Sequence, residues 1–150
     1  MTDAPSLLDI ADQLAIRDLL ADFGDAVNRM VATDAGSLFT SDGEWVVSGW
    51  GEHRGRDEIV TFLAGLLDRW DVFLHLVHSG RVHLDGDRAT GRWYISEFGR
   101  LKDGTEVKFA GVYRDDYVRG DGGWRFARRR YDSMFRRRGV DLEVTPFPSL

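Results

Sequence analysis

One histidine stands out for its surroundings. His75 lies in the run Phe73-Leu74-His75-Leu76-Val77, where either face of a strand would bury it. A buried histidine is ordinarily neutral and satisfied by hydrogen bonds. A histidine opening into an apolar pocket is instead placed as a general base, because imidazole changes charge near neutral pH. The run itself leaves both readings open. A metal centre is disfavoured. His75 and His78 are three apart on a strand and face opposite sides, and His83 lies past a turn or bulge at Ser79-Gly80.

Candidate pocket walls come from the hairpin around Lys102-Asp103-Gly104-Thr105. With those four residues as the link, Phe98 faces Phe109, Ser96 faces Gly111 and Tyr94 faces Tyr113, all on one side of the sheet. Trp93, Ile95 and Glu97 then share the other side with Arg114, Val112 and Ala110. The first set suits a pocket wall, with a hollow where Gly111 meets Ser96. It suits an ordinary aromatic core equally well. In the last strand Arg129, Tyr131 and Ser133 share one parity, and Arg128, Arg130 and Asp132 the other. An inward Arg129 is costly unless a carboxylate or ligand answers it. Most of the arginines between 125 and 138 read as a solvated face, offset by Asp115, Asp116, Asp121 and Asp132.

These groups need a scaffold. Ser6 followed by Asp9 marks a helix start, and Ile16, Leu20, Phe23, Val27 and Met30 recur at helical spacing. A second short helix is expected over Asp34–Phe39, a strand over Glu44–Val47, a glycine-rich loop over Gly49–Arg56, and a third helix from about Asp57. Four extended segments follow, at 72–84, 89–101, 106–118 and 124–135, joined by short Asp/Gly links that close antiparallel hairpins. Helices followed by a meander predict an α+β domain with helices on one face of a curved antiparallel sheet. The tail from Gly139 to Leu150 reads as irregular.

Composition narrows the function classes. The chain has 150 residues, one domain's worth with room for a real core. Its 20 basic and 25 acidic residues give a net charge of −5, which argues against a nucleic-acid partner. There is no cysteine, hence no disulfide, thiolate metal site or cysteine nucleophile. No apolar run approaches a membrane span, and Met1-Thr2-Asp3-Ala4-Pro5 does not begin a signal peptide. A cytoplasmic protein is expected, without membrane partners.

Several short stretches, in order and spacing, carry a family resemblance. They are Ala15-Ile16-Arg17-Asp18-Leu19-Leu20, Glu44-Trp45, Arg54-Gly55-Arg56-Asp57-Glu58-Ile59, Leu84-Asp85-Gly86-Asp87-Arg88-Ala89 and Asp121-Gly122-Gly123-Trp124-Arg125-Phe126. With these the chain resembles, over about Leu8 to Phe135, the SnoaL-like branch of the nuclear transport factor 2-like superfamily. The resemblance implies a cone, a curved sheet wrapped around an apolar pocket and plugged by helices, assembled as a homodimer or homotrimer. The members it looks most like are of the scytalone dehydratase and hexachlorocyclohexane dehydrochlorinase kind. Those use a pocket histidine as base, oriented by an aspartate near the end of the first helix, and need no cofactor. His75 falls at the histidine position and Arg129 at a pocket arginine. Asn28 stands where the aspartate would be, and Asp25, one turn earlier, is the alternative acid.

The function this implies is a cofactor-independent lyase or isomerase for a small apolar cyclic compound. His75 would be the base, oriented by Asn28 or Asp25. Tyr94, Tyr113, Tyr131 or Arg129 would answer the developing charge. Phe23, Trp45, Ser96, Phe98, Phe109 and Gly111 would complete the substrate wall. Two other readings use the same cone: a small-molecule binding protein without turnover, which the loss of the acid at Asn28 favours, and a structural subunit like the small subunits of ring-hydroxylating dioxygenases.

Overall fold

The computed structural model describes residues 5–144, and side chains through residue 140. Helix α1 (Leu7–Asn28) starts on a capping box, with Ser6 Oγ accepting from the Asp9 N–H and the Asp9 carboxylate accepting from the Ser6 N–H. Its buried face carries Ile16, Leu19, Leu20, Phe23, Gly24, Ala26 and Val27. Short helix α2 (Ala32–Ser37) leads into β1 (Phe39–Val47), and α3 (Arg56–Leu67) buries Ile59, Leu63 and Leu67. The glycine-rich segment is not all loop. Gly51–Arg54 forms β2 and pairs antiparallel with β1, and His53 stacks on Phe62 of α3 at 3.7 Å.

The meander consists of β3 (Trp70–Asp85), β4 (Arg88–Leu101), β5 (Glu106–Gly120) and β6 (Gly123–Arg138). The sheet order is β2-β1-β6-β5-β4-β3. Neighbouring meander strands are antiparallel, whereas β1 joins β6 in parallel. Beyond the reach of β1, strand β7 (Asp141–Val144) pairs with the end of β6. Part of the expected irregular tail is therefore strand, and 145–150 lie outside the described residues. The result is an α+β cone, a curled, unclosed sheet with helices filling its concave side. Among the described residues, no helix is long and apolar enough to cross a membrane.

Aromatic rings hold α1 against the sheet. Phe23 meets Trp45 edge-on at 5.8 Å and Phe126 at 5.9 Å, and Phe39 lies 5.2 Å from Phe126. Such pairs add to the gain from burial itself.

The β4–β5 register differs by one residue from the expected one. Glu97 faces Phe109, Ile95 faces Gly111 and Trp93 faces Tyr113. The Leu101 N–H bonds the Thr105 carbonyl, so the link runs from Leu101 to Thr105. A one-residue slip moves a whole strand to the opposite face. Trp93, Ile95 and Glu97 thus point inward, and Tyr94, Ser96 and Phe98 outward. Nor is Gly111 a hollow. A Cβ there would come within 2.5 Å of the Tyr131 ring, which already fills the space.

On the outer face, Asp132 accepts from Arg114 at 2.7 Å and from Arg130 at 3.0 Å. Burial alone would raise its carboxyl, but these bonds outweigh burial and hold it below the usual carboxylate value. A carboxyl depressed in the folded state stabilises the fold above its unfolded value of about 4, and that contribution disappears as pH falls through the folded value. Urea unfolding at pH 7 and pH 3 should show the loss, and Asp132→Asn should narrow the difference between the two pH values.

Candidate functional site

His75 sits on β3, an edge strand of the sheet, against the last turn of α1. An edge strand leaves every second residue's backbone N–H and C=O without a strand partner. At His75 the side-chain amide of Asn28 supplies one. Its Oδ1 accepts from the His75 N–H at 2.6 Å, and its Nδ2 donates to the His75 carbonyl at 3.1 Å. With those groups turned toward α1, the His75–Glu97 pair is of the type whose side chains lie closer together. Asn28→Ala would leave both backbone groups unpaired at a part-buried site. We expect a loss of about 1–3 kcal/mol in urea unfolding.

The His75 side chain is 1% exposed. Its Nδ1 lies 2.7 Å from Glu97 Oε1. An ionised carboxylate only accepts, so against one Nδ1 is the donor, and in the neutral ring Nε2 then keeps its lone pair. Nε2 is buried and, among the described residues, has no hydrogen-bond partner. Phe23 meets the ring edge-on at 5.7 Å, and Tyr113 lies at 5.9 Å.

Beside this ring the cone encloses a cavity of about 140 Å³. Phe23, Trp45, Leu63, Phe73 and Phe109 give it apolar walls, and His75, Glu97, Tyr113 and Tyr131 place polar atoms among them. Burial pushes both tyrosine hydroxyls well above their ordinary value, so they remain protonated donors. The Tyr131 hydroxyl interacts with Ser133 but closes no hydrogen bond of good geometry among the described residues. Trp45 Nε1 is likewise buried and unpaired.

Arg129 is fully buried but does not line the cavity. Asp115 answers it with two bonds of 3.0 Å, and its guanidinium carbon lies 3.7 Å from the Tyr113 ring centre and 4.2 Å from that of Phe126. Tyr117 donates to Asp115 at 2.8 Å and accepts from Trp93 at 2.9 Å. This ion pair backs the Tyr113 wall and lies outside the space a ligand would occupy.

The expected site residues divide accordingly. His75, Phe23, Trp45, Phe109, Tyr113 and Tyr131 come together around the cavity. Tyr94, Ser96 and Phe98 lie on the outer face, displaced by the register slip, and Gly111 lies beneath Tyr131. Asn28 binds the backbone of His75 and makes no bond to its ring. Asp25 is exposed and paired with Arg29 at 2.7 Å, so it does not orient the imidazole. Glu97, assigned by sequence to the wrong face, is the acid that touches the ring. A signal existed: Trp93, Ile95 and Leu101 form an apolar parity, and a lone glutamate within it marks a buried, partnered carboxylate.

A helix-plugged sheet with a histidine–carboxylate pair in the wall of an apolar cavity defines a class of cone-shaped pocket proteins. Residues 9–130 match the SnoaL-like domain, and the chain belongs to that family. An uncharacterized protein of Mycobacterium tuberculosis is 31% identical over 88% of this chain and 92% of its own length. The gamma-hexachlorocyclohexane dehydrochlorinase of Sphingobium indicum is 28% identical over 80% of this chain and 79% of its own. The crystal structure of LinA superposes with a TM-score of 0.81 at 24% identity, covering 91% of this chain and 95% of that one. This last likeness establishes the fold.

Proposed function

We propose that this chain is a cofactor-independent acid–base enzyme, a lyase or isomerase, acting on a small apolar cyclic compound held in the cavity. The observation that carries the reading is the setting of His75, a residue that lines the cavity: one ring nitrogen is tied to Glu97 and the other is buried and unpaired among the described residues. Similarity to a dehydrochlorinase supports elimination chemistry.

Nε2 takes a proton from a carbon next to an activating group. Glu97 keeps Nδ1–H oriented and lends its charge to the imidazolium that forms. Tyr113 or Tyr131 donates to the oxygen that gains charge or to the leaving group. The imidazolium then returns its proton, to the departing hydroxide in a dehydration or to another carbon in an isomerisation. Dry walls strengthen each of these polar contacts.

The test is a screen of cyclic β-halo and β-hydroxy carbonyl compounds for release of halide or water. Turnover by the wild type should fall at least about a hundredfold in His75→Ala. Equal rates in the two proteins would overturn the proposal, and binding without turnover would favour a carrier.

A further inference from the structure

We propose that the outer face of the sheet carries a second binding site, one for a phosphate group, gripped by Arg81 and Arg92. The site lies across the sheet from the cavity and does not depend on the function proposed above. Its mark is a ladder of like charges. Arg81 pairs with Arg92, Arg92 with Arg114 and Arg114 with Arg130, so four adjacent strands each place an arginine in one cross-strand row. The row spans three strand spacings, roughly 14 Å.

Like charges directly opposite one another destabilise a sheet, and solubility alone does not call for such a row. The neighbouring row on the same face is mixed: His83, Thr90, Asp116, Arg128 and Glu44 stand opposite one another in turn, and Arg128 meets Glu44 at 3.3 Å. Within the arginine row, Asp132 answers Arg114 at 2.7 Å and Arg130 at 3.0 Å. Arg81 and Arg92 have no such answer. Among the described residues neither guanidinium closes an ion pair or a hydrogen bond. Two adjacent unanswered arginines present two positive charges, which a phosphate dianion, free or carried as a monoester, matches.

Position suits the chemistry. The arginines line an open basin of about 560 Å³ on the outer face, and Thr90, two residues before Arg92 on the same strand, brings a hydroxyl to it. Directly opposite side chains leave the sheet only about 5 Å apart, so both guanidinium forks can close on one anion. Arginine–phosphate pairs of this kind are charge-assisted and bidentate. Two carboxylates belong to the lining. Asp115 is spent on the buried Arg129, and Asp116 stands opposite Arg128 rather than in the arginine row. A compact phosphate fits better than a nucleic-acid strand, because acids bound the row on both sides, Asp116 in one neighbouring row and Asp132 in the other.

The probes are inorganic phosphate and phenyl phosphate, each at about 10 mM, with sodium chloride of equal ionic strength as the reference, and the readout is thermal unfolding in a phosphate-free buffer. At least one probe should raise Tm by about 3 °C or more over chloride, the shift expected when the anion is near ten times its Kd. The larger of the two shifts tells a free phosphate site from one for a phosphate ester. Arg81→Gln/Arg92→Gln should abolish the shift, yet without phosphate it should unfold no earlier than the wild type, because it removes a like-charged pair. Arg137→Gln, a single charge removed elsewhere on the same face, should keep the shift, and so should His75→Ala, which separates this site from the cavity. Equal Tm values in phosphate and chloride, or a shift that survives in the double variant, would overturn the proposal. So would loss of the shift in Arg137→Gln or in His75→Ala.

Discussion

Asp115→Ala should destabilise the protein by about 3–5 kcal/mol, since it leaves the charge of Arg129 buried without its counterion. For a domain of this length that is a fall of roughly 10 °C in Tm. Both side chains of the pair are fully buried, and losing the carboxylate also removes the acceptor of the Tyr117 hydroxyl. The aromatic faces of Tyr113 and Phe126 attract the guanidinium but do not accept its in-plane N–H bonds. The double variant Asp115→Leu/Arg129→Met separates the two sources of loss. Replacing the whole pair with apolar groups should recover most of the stability, because the penalty belongs to the unpaired charge. If Asp115→Ala unfolded at the wild-type temperature, the pair would not be holding the Tyr113 wall.

Glu97→Gln should cut turnover by up to about four orders of magnitude, the scale seen when a histidine's orienting acid becomes an amide in a different enzyme. The glutamine amide can turn either its oxygen or its nitrogen toward Nδ1. If nitrogen faces the ring, Nδ1 must accept and the proton moves to Nε2, which abolishes the base. If oxygen faces it, the tautomer survives but the charge that stabilises the imidazolium is gone. The loss should fall on kcat more than on KM, because the interaction strengthens as the proton arrives. Asp25→Asn should leave the rate unchanged, since that carboxylate engages Arg29 on the surface.

The architecture was legible because it rests on local signals. The helical spacing of Ile16, Leu20, Phe23 and Val27 reappears as the buried face of α1, and the Asp/Gly links fall between the meander strands. The site was legible only where it depended on a single strand. His75, Tyr113 and Tyr131 keep their parity whatever their neighbours do. Glu97 was misplaced because a four-residue and a five-residue link are equally plausible around Asp103-Gly104, and the choice inverts a whole strand. Asn28 could not be read correctly, since its partner is the backbone of an edge strand 47 residues away. The register shift in β6 between Ser133 and Phe135 and the parallel union of β1 with β6 belong to the curled sheet as a whole, which no local pattern encodes.

Nitrogen NMR of histidine-labelled protein reads the proton position on His75 without a substrate. His75→Asn assigns the signal among the four histidines. At pH 8 the His75 ring should be protonated on Nδ1 and bare on Nε2, with that state lost or mixed in Glu97→Gln. A ring carrying its proton on Nε2 would overturn the assignment of His75 as the base, because that nitrogen would have no lone pair to offer a substrate.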